Sequence, residues 1–90
     1  MQTPADAATK YIKIINKSGR TITAIYCTAT GYGNWGSNRL NGSVGNGGSV
    51  GIPVNTDRRY WDFKVVFSNG SSIDRRDIDV LRYDSFTIHP

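Results

Sequence analysis

The side chains that could do chemistry are few, and their spacing keeps them apart. His89 is the only histidine and stands one residue from the end of the 90-residue sequence, where chain ends usually fray. Cys27 is the only cysteine, and all seven acidic residues are Asp. A catalytic nucleophile needs a base and a third group that orients the base. One histidine, no Glu and no second thiol cannot supply that set, so the sequence reads as a non-enzyme that needs no cofactor. A lone cysteine also excludes an intrachain disulfide and a cysteine-based metal site. Cys27 lies in an apolar run, where a free thiol serves as a small buried hydrophobe.

Two binding chemistries are left. The weaker is calcium, which collects about six to eight oxygens from carboxylates and carbonyls. Asp77 and Asp79 stand two apart on one expected strand face, with Asp62 expected opposite Asp77. No EF-hand loop accompanies them, and Arg59, Lys64 and Arg75 are close enough in sequence to neutralise them as ion pairs. The stronger lies between Gly31 and Gly51, which hold eight of the ten glycines. Within this stretch Tyr32, Asn34, Trp35, Asn38 and Arg39 form the candidate binding set, two aromatic rings beside amides and a guanidinium. Gly31-Tyr32-Gly33-Asn34-Trp35-Gly36 has the G-x-G-x-x-G spacing of a phosphate cradle, but that cradle needs a helix behind it. Ser37-Asn38-Arg39-Leu40-Asn41-Gly42 cannot supply one.

A long glycine-rich loop loses much backbone entropy when it is ordered, so something must hold it. In one reading Trp35 and Leu40 fold back as plugs on the edge of the core. In the other, the 29–47 loop is a recognition surface that presents Tyr32 and Trp35, as long loops in small domains often do. The net charge of +4 adds little direction. The eleven cations are spread along the chain without a run, and Arg58-Arg59 and Arg75-Arg76 each follow an Asp. This pattern argues against a nucleic-acid track.

The elements that must position these residues are strands. Gly, Asn, Ser and Thr make up 33 of the 90 residues, a composition suited to turns and strand faces and poor in helix formers. Residues 1–9 read as a flexible polar lead before a single domain over 10–90. Ile12 and Ile14 alternate with Tyr11, Lys13 and Ile15, the period of a half-buried strand. The turn Lys17-Ser18-Gly19-Arg20 then leads to the β-branched run 21–28, which predicts a hairpin. Val50, Ile52 and Val54 share a face in a run that contains Pro53, which places that strand at a sheet edge. Trp61, Phe63, Val65 and Phe67 form an unbroken apolar face, the mark of a central strand.

Asn69-Gly70 signals a second hairpin. A two-residue turn there would pair Val66 with Ile73, Lys64 with Arg75 and Asp62 with Asp77. The same register puts Asp74 and Arg76 on the face of Val65 and Phe63, where unpaired charge is costly. Ile73 also differs in parity from Ile78 and Val80, so a bulge within residues 74–77 is expected. Six or seven short strands without a substantial helix indicate an all-β fold, an antiparallel β-sandwich or small barrel.

Three segments, Asn16-Lys17-Ser18-Gly19-Arg20-Thr21-Ile22, Trp35-Gly36-Ser37-Asn38-Arg39-Leu40 and Trp61 to Gly70, resemble small, mostly exported bacterial proteins of unknown function. These carry N-x-(S/T)-G-x-T-I, W-G-x-(D/N)-x-L and D-x-x-V-x-(F/Y)-x-(D/N)-G in that order. The resemblance covers roughly residues 11–88 and implies a secreted or periplasmic β-sandwich. It departs at Arg59 and Leu81, where relatives often carry cysteines. A signal peptide and a long apolar span are both lacking in the sequence given, which suits a mature exported chain. The expected function is a binding or structural module that recognises a macromolecule through the 29–47 loop. A glycan-binding module using Tyr32 and Trp35 beside Asn34 and Asn38 is one alternative. Self-assembly through sheet edges, as in an envelope or extracellular structural protein, is another.

Overall fold

A computed structural model describes residues 9–90, and all but the last residue of the expected polar lead lies outside them. Six strands follow in order: β1 (Thr9–Asn16), β2 (Ile22–Ala29), β3 (Ser49–Asn55), β4 (Tyr60–Phe67), β5 (Ser72–Asp79) and β6 (Ser85–Ile88). They form two three-stranded sheets, ordered β3-β1-β6 and β2-β4-β5. Ile12, Ile14, Ile52, Val54 and Ile88 of the first sheet bury against Ile22, Ile25, Cys27, Phe63 and Val65 of the second. Phe63 and Phe86 meet edge to face across the core, their centroids 5.1 Å apart. The fold is a small β-sandwich.

The expected β1–β2 hairpin does not form. β1 pairs with β3 and β6, and β2 pairs with β4. Both strands bury one face over the same core, so they oppose each other across it, and residues 17–21 carry the chain between sheets. The pairing is also not antiparallel throughout. β6 runs parallel to β1, from Lys13 opposite Ser85 to Asn16 opposite Ile88. β3 is an edge strand, as Pro53 requires.

The second hairpin forms with its register moved by one. Its loop has three residues, closed by Phe67 N–H to Ser71 C=O at 2.8 Å and Gly70 N–H to Phe67 C=O at 2.9 Å. Gly70 has φ +87°, the left-handed position that ends such a three-residue loop. Val66 therefore faces Ser72, Val65 faces Ile73, and Lys64 faces Asp74. Ile73 turns inward with Val65, while half-buried Arg75, rather than Asp74 or Arg76, lies opposite Phe63. The expected bulge is present. The register shifts between Trp61 and Phe63, and Asp77 takes φ +58°. That one extra residue restores parity, so Ile73 and Ile78 both pack against the core.

Candidate functional site

The glycine-rich stretch divides into two differently built halves. In the rear half, residues 40–48, Leu40 and Val44 are buried in the core. Val44 exchanges both backbone hydrogen bonds with Ile22, at 2.9 and 3.0 Å. Asn16, fully buried, organises the rest. Its Nδ2 donates to Arg20 C=O at 2.7 Å and Val44 C=O at 2.9 Å, and its Oδ1 accepts from Ser18 N–H and Oγ–H. Its backbone bonds Gly47 and Gly48, and Asn46 Oδ1 receives Gly19 N–H at 2.9 Å. The Asn16-Lys17-Ser18-Gly19 segment is thus a joint between the two sheets and the rear of the loop.

The front half, residues 30–39, is joined more lightly. Tyr32 N–H donates to Ala29 C=O at 3.0 Å, and Arg39 N–H to Ile25 C=O at 2.7 Å. Asn38 Oδ1 accepts from Ile25 and Leu40 N–H, both at 2.9 Å. Asn34 Oδ1 is taken up by Gly36 N–H at 2.9 Å, a local Asx turn. Tyr32 is 72% exposed. Trp35 is half-buried beneath the Arg76 guanidinium, which stands 5.3 Å from its ring centroid.

Arg76 is itself held. It bonds Asp62 Oδ2 at 3.3 Å and Asp74 Oδ2 at 2.9 Å. Asp62, buried in β4, also accepts from Thr30 Oγ–H at 2.7 Å and from the bulged Asp77 N–H at 2.9 Å. One carboxylate therefore ties the end of β2, the centre of the sheet and the β5 bulge, and steadies the cation that covers Trp35. The plug reading holds for Leu40, whereas Trp35 lies partly over the sheet.

Where β2 ends and β4 begins, an open cleft of about 470 Å³ lies between the loop front and the β3–β4 turn. Cys27, Ala29 and Trp61 give it apolar surface, Tyr32, Asn34 and Trp35 face it from the loop, and Arg39 and Arg58 supply its charge. Neither arginine has an ion-pair partner among the described residues. Burial pushes the Cys27 thiol up, with Arg39 pulling it partly back. A smaller hollow of about 340 Å³ beside it is lined by Arg58, Arg59, Tyr60 and Asp77.

Of the expected binding set, Tyr32, Asn34, Trp35 and Arg39 meet at this cleft. Asn38 does not line it, because its oxygen docks the loop onto β2. The calcium set separates. Asp62 is taken by Thr30, Arg76 and the Asp77 amide, while Asp79 accepts both Arg59 Nε–H and Nη2–H at 3.0 and 2.9 Å. The bulge breaks the shared face expected of Asp77 and Asp79, and the described residues contain no group of three such ligands. The Arg59 hydrogen bonds hold the Asp79 carboxyl below its usual range.

Arg58 was not legible as a site residue. The preceding Asp57 suggested a neutralised pair, but no ion pair joins them. Trp61 and Cys27 read as core and are core, yet each also shows an edge to the cleft. Comparison with protein-family models, with curated proteins and with solved structures returns no match. No helix among the described residues is long and apolar enough to cross a membrane. Fold and site together define a small all-β sandwich with an aromatic and arginine-lined cleft.

Proposed function

We propose that this protein is a non-enzymatic, exported binding module that recognises a protein partner through the front of its glycine-rich loop. The observation that carries this reading is the cleft, where exposed Tyr32 and half-buried Trp35 stand beside two arginines that have no ion pair among the described residues. Aromatic and arginine side chains at the centre of a concave surface are the usual anchors of an interface. Sugar stacking is less well supplied. One face of Trp35 is covered by Arg76, and the amide oxygens of Asn34 and Asn38 are spent on backbone N–H groups. The secreted or periplasmic setting follows the family resemblance, and a thiol as buried as Cys27 suits an oxidising compartment.

Labelled protein applied to arrays of peptides and of oligosaccharides tests this, with Tyr32→Ala alongside. Retention on peptides, lost in Tyr32→Ala, is expected. Retention on oligosaccharides alone would replace the reading with the glycan-binding one, and silence on both arrays would remove it.

A further inference from the structure

The edge of β2 carries a gap that coincides with the cleft. Thr30 N–H bonds Tyr60 C=O, and this fixes which β2 residues turn toward β4. By the alternation of an antiparallel ladder, the N–H and C=O of Ile25, Cys27 and Ala29 turn away from β4. The loop fills two of these places. Asn38 and Arg39 bond Ile25, and Tyr32 bonds the Ala29 carbonyl. Cys27, between them, receives no partner for either group from the described residues. It is also only 1% exposed, so solvent barely reaches it. Buried backbone groups left without a bond are rare, and a short strand laid along an open edge is one way they are satisfied.

We infer that the partner of this cleft is an extended peptide carrying a carboxylate beside an apolar side chain. Its backbone pairs with Cys27, its apolar side chain rests on Ala29 and Trp61, and its carboxylate faces Arg39 and Arg58. This deepens the binding reading above and rests on it. Three observations converge: the open backbone position, the apolar floor, and two guanidinium groups with no carboxylate partner among the described residues. An arginine fork takes a carboxylate in two parallel hydrogen bonds, which gives direction as well as attraction. To reach Cys27 the peptide displaces residues 32–36, which meet the sheet by one backbone bond, at Tyr32. Binding therefore shifts Trp35 fluorescence.

The test selects ligands from a displayed library of random heptapeptides and titrates them into ¹⁵N-labelled protein. Each selected peptide is paired with a version in which Asn or Gln replaces its Asp or Glu. The expected result is enrichment of Asp or Glu next to an apolar residue, with the Cys27 amide among the most shifted signals. Neutralising the peptide, or combining Arg39→Ser with Arg58→Ser, weakens binding by about tenfold or more, and lysine at both positions recovers much of it. The peptide-side change tests the charge requirement without altering the fold. Selected peptides with no acidic bias, or shifts that avoid Cys27, overturn this inference and leave the binding module intact. Failure to select any peptide, together with silent arrays, overturns both.

Discussion

The two halves of the glycine-rich loop share a background of Gly, Asn and Ser and behave as opposites. Residues 40–48 end in the core through Leu40 and Val44 and are fastened by Asn16. Residues 30–39 spend their aromatic side chains at the surface and touch the sheet at few points. Glycine content alone therefore says nothing about role. What separates the halves is where each apolar side chain goes and whether a buried polar group collects the backbone. The tryptophans repeat the contrast. Trp61 is buried in β4 and donates its indole N–H to Arg58 C=O at 2.9 Å, whereas Trp35 lies under one arginine at the rim of a cleft.

Three substitutions press on this contrast. Trp61→Ala removes a core side chain and its indole bond and should cost about 3–5 kcal/mol. Against a total of roughly 5–15 kcal/mol for a domain, urea melts should show a protein near unfolding. Asn16→Ala takes one donor each from the Val44 and Arg20 carbonyls and strands the buried Ser18 N–H without its acceptor, and should cost about 2–3 kcal/mol, because stranding buried groups is expensive. A loss as small as that of an average surface change would mean that the rear of the loop is held by its apolar residues and backbone bonds, without need of the Asn16 amide. Trp35→Ala forfeits partial burial and a cation–π contact and should cost only about 1 kcal/mol. Losses as large as those of Trp61→Ala would make Trp35 a core residue, and the recognition reading would go with it.

The smallest effect separates the neighbouring arginines, Arg59 paired with Asp79 and Arg58 with no ion pair among the described residues. The Asp79 carboxyl titrates below its usual 3.8 because Arg59 hydrogen-bonds its charged form. Its contribution to stability is therefore complete above that value and is lost as pH falls through the lower, folded one. Stability of the wild type should drop over this acidic window, and Arg59→Ala should flatten that drop. Arg58→Ala should leave the slope as it is, and an equal change in both variants would contradict the pairing.

Much of the fold was legible because it rests on local periodicity. The faces of β1, β3 and β4 and the bulge in β5 follow from which residues must avoid or seek the core. The bulge was foreseen from a conflict of parity, since no regular strand buries Ile73, Ile78 and Val80 together. The partners of the strands were less legible. Residues 17–21 look like a hairpin turn, and nothing local tells a reversal within a sheet from a crossing between sheets. The parallel β1–β6 contact joins positions some seventy residues apart and leaves no trace in either strand. In the site, Tyr32, Trp35 and Arg39 stood out as large side chains among glycines. Arg58 did not, because its standing apart from Asp57 and the other described carboxylates is a fact of three-dimensional placement. Asn38 misled for the converse reason, as its amide serves the backbone of β2.

Amide hydrogen exchange across residues 30–48 tests the division of the loop most directly. Gly47 N–H, bonded to the carbonyl of buried Asn16, and Val44 N–H, bonded to Ile22, should open only with the sheets. Gly33, Asn34 and Trp35 should exchange at least about a hundredfold faster, as expected of segments that open locally. Uniform protection from Tyr32 to Gly48 would show one rigid plug, and the loop front could not then be the part presented to a partner.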